Sequence, residues 1–199
     1  MTKRASLIGL ALMGLALTTA APMGAIAANT PAPRILVIDR TMVLRLSKVG
    51  QEIVRQVNAY TDQAEKDLKS QSASLRQQGD ALKQQLAILS ADVKQRKIKE
   101  FQAREAGLQQ LVQKKQTLIQ GGFIKARQQV EAALGPILQG IMNERGANLL
   151  LDRNAVLMGT DPALDVTRLA VQRLDQKMPT IKVELVMPPP GMMQQQAQQ

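Results

Sequence analysis

The 199-residue chain has no cysteine, no histidine and no tryptophan, and only one tyrosine and two phenylalanines. Each absence closes a class of chemistry. Without His or Cys, the common zinc sites, thiol nucleophiles and His-assisted serine hydrolysis lack their ligands and bases. The acidic residues that remain are scattered beside Lys and Arg, so no carboxylate pair stands apart for acid–base work. The reading is a binding protein and not an enzyme, with no catalytic residue, metal ligand or cofactor site expected. The shortage of aromatics leaves no stacking platform for nucleic acid, and no recognition helix is evident, so nucleic acid is not an expected partner. No disulfide can staple the fold, and stability must come from packing or association.

What is abundant is a helical repeat. Residues 47–145 hold two long apolar stripes on either side of a short break at Leu89, Ser90, Ala91 and Asp92. Ile53, Val57, Tyr60, Ala64 and Leu68 step by three or four, and Leu68, Leu75, Leu82 and Leu89 recur every seven, joined by Leu86 and Val93. That 3.5-residue period belongs to a coiled-coil seam. After the break, Phe101, Leu108, Leu111, Leu118, Phe123, Ala126, Val130 and Ala133 keep a looser stripe, with Gln, Lys, Arg and Glu on the other faces. Ser90 suits an N-cap whose hydroxyl accepts a first-turn N–H. The pattern predicts an antiparallel helical hairpin with its tip near residues 89–92, and one long helix running through Ser90 is the competing reading. About 40 residues a side at 1.5 Å each gives an arm of roughly 60 Å.

Glycines interrupt this arm. Gly79, Gly107 and the pair Gly121 and Gly122 each weaken a helix interior by about 1 kcal/mol relative to alanine. The adjacent pair is expected to be a hinge; its rival is close approach of the facing helix around Asn58 and Ala59. Gly135 followed by Pro136 is expected to kink or end the helix near the body.

The rest of the chain brackets the arm. Lys3 and Arg4, an uncharged apolar run over residues 7–21, and Ala25-Ile26-Ala27 form an export signal at 1–27, cleaved after Ala27. Residues 28–46 then read as a linker and a first strand, Ile35-Leu36-Val37-Ile38, bounded by charges. Over 146–178, Leu149-Leu150-Leu151 reads as a second strand. A turn at Arg153 and Asn154 leads into Ala155-Val156-Leu157-Met158, which is expected to close a β-hairpin. Asp165 is expected to cap a last helix with Val166, Leu169, Ala170, Arg173 and Leu174 on one stripe. The tail, 179–199, reads as Pro/Gln-rich and largely disordered, apart from an edge strand suggested by Ile181, Val183 and Leu185.

Pairing the early strand with the later ones brings both feet of the hairpin together, which makes an α+β fold. Three short strands and one helix bury too little to support such an arm alone. A homo-oligomer whose bodies share one sheet or barrel removes the difficulty, with Ile35, Val37, Leu149, Leu150, Leu151 and Val156 at the interface. Charge singles out the other end. Loss of Lys3 and Arg4 takes the net charge from +10 to +8, and eight basic against three acidic residues over 83–115 put +5 around the tip. Lys83, Lys94, Arg96, Lys97, Lys99 and Arg104 are the expected contacts for an acidic partner: a negatively charged client protein, or an anionic lipid or lipopolysaccharide surface.

The strand Ile35-Leu36-Val37-Ile38-Asp39, the Lys/Gln-rich hairpin turning at Leu89-Ser90, and the closing Leu149-Leu150-Leu151-Asp152-Arg153-Asn154-Ala155-Val156 resemble the Skp/OmpH family of periplasmic chaperones for outer-membrane proteins. The resemblance implies a homotrimer with a β-barrel body and three arms around a cavity. Unfolded outer-membrane proteins would be held there without ATP, in the periplasm, on their way to the outer membrane. The alternative is a periplasmic coiled-coil adaptor of an export or envelope complex, which predicts a hydrophobic arm tip.

Overall fold

The computed structural model describes residues 32–159 and 161–189. The expected signal peptide and the tail beyond residue 189 lie outside the described residues. The elements run β1 (Ile35–Ile38), α1 (Arg40–Leu46), α2 (Lys48–Gln85), α3 (Ala91–Arg145), β2 (Leu149–Asp152) and α4 (Thr167–Lys177), with 3-10 turns at Arg153–Ala155 and Pro162–Leu164.

β1 and β2 pair in parallel, with Ile35 opposite Leu149 and Ile38 opposite Asp152. Parallel strands need a long crossover, and here the crossover is the entire arm. A single parallel bridge from Val37 to Asp165 extends the sheet on the other side of β1, with the Val166 N–H donating to the Val37 carbonyl at 2.9 Å. The expected β-hairpin after β2 does not form. The Asp152 carboxylate accepts the Asn154 N–H at 3.0 Å, and the Val156 N–H reaches back to the Arg153 carbonyl at 3.1 Å. These bonds close a 3-10 turn, which turns the chain aside before Ala155 and Leu157 could pair with β2. Among the described residues, then, the sheet is two-stranded.

α1 is not evident in the sequence, where Asp39 reads as the charged boundary of a strand. Asp39 is in fact the N-cap of α1, accepting the Met42 N–H at 2.7 Å. Ser47 ends α1 and starts α2, accepting the Gly50 N–H at 3.2 Å while fully buried. Ser90 occupies the N-cap of α3 with extended backbone, but its hydroxyl makes no capping bond. Of the kink or end expected at Gly135 and Pro136, the end does not occur: α3 runs on through both to Arg145. Proline in a helix interior costs about 3 kcal/mol. Leu134, Ile137 and Ile141, all buried around it, hold the helix in place through that defect. Gly146, at φ 63° in the left-handed region, closes α3 as its C-cap, and the Ala147 N–H bonds the Met142 carbonyl at 2.8 Å.

α2 and α3 lie antiparallel. Lys115 reaches Asp67 at 2.8 Å, Arg104 reaches Gln78 at 2.6 Å, and the Phe101 ring sits in the space left by Gly79. The 38 residues of α2 make an arm of about 57 Å. The core sits at the foot: Leu36 and Ile38 of β1, Val43 of α1, Val49 and Ile53 of α2, Val130, Leu134 and Ile141 of α3, and Ala170 and Leu174 of α4. The N-cap of α4 is Val166 and not the expected Asp165, which lies one residue earlier and accepts the Thr167 N–H at 2.8 Å. Val183, far down the tail, belongs to the same core.

Candidate functional site

Three surfaces carry the residues singled out in the sequence. The first is the arm tip. Lys83 pairs with Asp80 at 3.1 Å and Lys97 with Glu100 at 3.6 Å, both within their own helix. Arg104 is held by Gln78, while Lys94, Arg96 and Lys99 make no ion pair among the described residues. The basic residues thus line the outer part of α3 and the end of α2. Composition did not point to Ile88, which sits 85% exposed in the turn between the helices. An apolar residue beside the break was the available signal.

The second surface is the sheet. Its inner face gives Leu36 and Ile38 to the core, with Leu150 packed against them. The register puts Ile35 beside Leu149 and Val37 beside Leu151 on the other face. Ile35, Val37 and Leu151 are half-buried and Leu149 is 42% exposed. Val37 also lines a recess with Val156, Leu157, Met158 and Leu164. Leu157 and Met158 stand out in solvent, as residues of an open loop. Of the six expected interface residues, Leu150 therefore faces inward, and the other five lie on or next to an uncovered apolar face.

The third surface lies at the foot of the arm and involves Gly121 and Gly122. The tail does not hang free over its described part. Residues 181–188 lie as an extended strap across α2 and α3, without forming the edge strand suggested by their alternation. A Cβ on Gly121 would stand 2.0 Å from the Val186 carbonyl oxygen, and one on Gly122 would stand 2.7 Å from that of Glu184. The glycines leave room for a backbone, as close packing requires, but the nearest atoms belong to the strap and not to α2 around Asn58 and Ala59. Gln56 grips the strap with both ends of its amide. Its Oε1 accepts the Val183 N–H at 2.8 Å, and its Nε2 donates to the Ile181 carbonyl at 2.6 Å. The Tyr60 hydroxyl donates to the Val183 carbonyl at 3.1 Å, and Lys125 pairs with Glu184 at 2.7 Å. That pairing holds the Glu184 carboxyl below its ordinary range. Beneath Gln56, hydrogen bonds from Arg55 and from Gln56 itself bring Glu52 down to about 2. The only tyrosine in the chain was a readable signal here, whereas Gln56 was one glutamine among many.

Comparisons with known proteins follow the same outline. A family profile described as outer membrane protein (OmpH-like) matches residues 34–174. A crystal structure from Caulobacter crescentus CB15, described as a candidate outer membrane chaperone (OmpH-like), superposes with a TM-score of 0.71. The two share 22% sequence identity over 81% of this chain and 94% of that one, a likeness of fold. No curated protein matches the chain. The strap falls beyond the stretch that the family profile covers.

Proposed function

The chain belongs to the OmpH-like family of outer membrane proteins, and on that premise we propose that it is an ATP-independent holdase chaperone of the periplasm. Three copies join through their sheets, the arms enclose a cavity, and unfolded outer-membrane proteins are held there and passed toward the outer membrane. The observation that carries this reading is the arm's seam. Beyond Ala64 on α2 and before Gly121 on α3, no residue of either helix is buried. Leu68, Leu75, Leu82, Leu108 and Leu111 are each half-covered, a long ladder of weak apolar contacts suited to passive holding. The uncovered face of Ile35, Val37, Leu149 and Leu151 supports association of the bodies. Lys94, Arg96, Lys97 and Lys99 supply the attraction that draws in negatively charged clients or lipid head groups.

Static light scattering of a urea-diluted outer-membrane β-barrel protein tests the reading. The mature chain should suppress its aggregation at about one trimer per client, and unchanged aggregation would reject the chaperone role. Val37→Asp should dissociate and unfold the protein together, because an apolar sheet face has no stable home in a monomer. Sedimentation equilibrium that finds a folded monomer at micromolar concentration would reject the trimer. Ile88 gives the adaptor reading one specific observation, an exposed apolar residue at the arm tip. Ile88→Ser should leave client holding intact and abolish docking to an envelope partner if that reading holds.

A further inference from the structure

We propose that the groove between α2 and α3 at the foot of the arm is a binding site for extended polypeptide, with residues 181–188 as its resident occupant. An extended segment of an unfolded outer-membrane protein client exchanges with that strap, an exchange that rests on the chaperone reading above. The contacts in the groove are of the kind that recognise a peptide by its main chain. Gln56 offers its amide to the Ile181 carbonyl and the Val183 N–H, the two groups a neighbouring β-strand would bond, and Tyr60 bonds the next carbonyl. None of these three bonds depends on which side chains the peptide bears. Gly121 and Gly122 remove the side chains that would keep its backbone away.

Side-chain selection is correspondingly light. Val183 enters the core completely and Pro188 is buried, while Lys182, Glu184, Leu185 and Met187 point outward. Glu184 and Leu185 both face out, so the strap does not keep one strand-like apolar face, and it is held by its main chain and by Val183 and Pro188. The strap has no helix or sheet of its own, and its one ion pair, Lys125 with Glu184, is exposed. Further along the arm, an apolar cavity of about 370 Å³ lined by Val57, Ala64, Leu68, Ile119 and Phe123 gives a longer segment room to continue.

Fluorescence anisotropy of a labelled peptide with the sequence of residues 179–189, added to the full chain, tests the site. Val183→Asp should free the strap, so the variant should bind the peptide at least tenfold more tightly than the unaltered chain. Adding Gln56→Leu should remove that gain. Equal, weak binding by the two chains, with unchanged helical circular dichroism, overturns the proposal. Should Val183→Asp fail to fold, Lys125→Cys with Glu184→Cys asks the same question in a chain that has no other cysteine. Bridging the two thiols with a short bis-maleimide should lower peptide affinity at least tenfold against the unbridged protein, and no difference overturns the proposal. Hydrogen exchange separates the two readings. Capture of an outer-membrane protein with the Val183 amide still protected overturns the exchange. Failure to capture any such protein, with peptide binding intact, counts against the chaperone role and leaves the groove assigned.

Discussion

The two halves of the arm are written in similar apolar stripes, yet they are covered very differently. Near the body, Val49, Ile53 and Ala64 of α2 and Ala126, Val130 and Leu134 of α3 are buried. Toward the tip, Leu75, Leu82 and Leu108 remain half-exposed, and a Cβ on Gly107 would meet nothing within 4 Å. A pair of helices covers only one side of each side chain in its seam. Full burial needs a third layer, and only the foot has one, made of α4, α1 and the strap. Stability is thereby concentrated at one end of a continuous element, and the other end keeps its apolar side chains only partly covered.

The largest test of this contrast is a matched pair of truncations. Ile53→Ala should cost about 2–5 kcal/mol, whereas Leu75→Ala, at a side chain only partly covered, should cost about 1–2 kcal/mol. Urea unfolding followed by circular dichroism measures both, and equal costs would erase the distinction. Next comes Gly121→Ala with Gly122→Ala. The added methyl groups collide with strap backbone, so we expect about 1–3 kcal/mol of destabilisation and loss of protection at the Val183 amide. The hinge proposed for this pair makes the opposite prediction: a stiffer, more stable arm that keeps small clients and loses large ones.

A smaller effect is expected at the tip. Changing Lys94, Arg96, Lys97 and Lys99 to Gln should alter stability by less than about 0.5 kcal/mol. It should slow client capture several-fold at low salt and flatten the salt dependence of the rate. Stopped-flow association measured over a salt series decides this, and an unchanged rate would make the cluster a plain solvated face. The smallest effect concerns pH. Hydrogen bonds from Arg55 and Gln56 lower Glu52 to about 2 from 4.5, those from Lys115 and Gln63 lower Asp67, and that from Lys125 lowers Glu184. A carboxyl lowered on folding stabilises the protein above its unfolded value and loses that contribution as pH falls toward its folded value. With no histidine to titrate near neutrality, the melting temperature should be flat between about pH 5 and 7 and fall below about 4.5. Glu52→Gln should shallow the fall.

Much of the arm could be read directly from the chain, because its signals are local and repeat. The leucines at 68, 75, 82 and 89, the break at Ser90 and the apolar runs at 35–38 and 149–151 each announce an element within a few residues of themselves. The parallel direction of the sheet was not readable, since it follows from where the whole arm returns the chain. Nor was the 3-10 turn after β2, where Asp152 bonds the Asn154 N–H and the hairpin turn expected at Arg153 and Asn154 does not form. Helix α3 survives Pro136 because Leu134, Ile137 and Ile141 around it are buried in the core at the foot of the arm.

The glycine pair draws the boundary most clearly. By itself the sequence determined that something unusual happens at Gly121 and Gly122, because two adjacent glycines in a helix forgo stability that alanine would provide. What occupies the space is set by the folded chain: a segment some 60 residues further on, held by Gln56 and Tyr60 from the opposite helix. The heptads are a property of one stretch of chain, so composition and period suffice to find them. A groove is a property of several stretches brought together, and its occupant becomes definite only when the backbone bonds and close contacts that hold it exist at once.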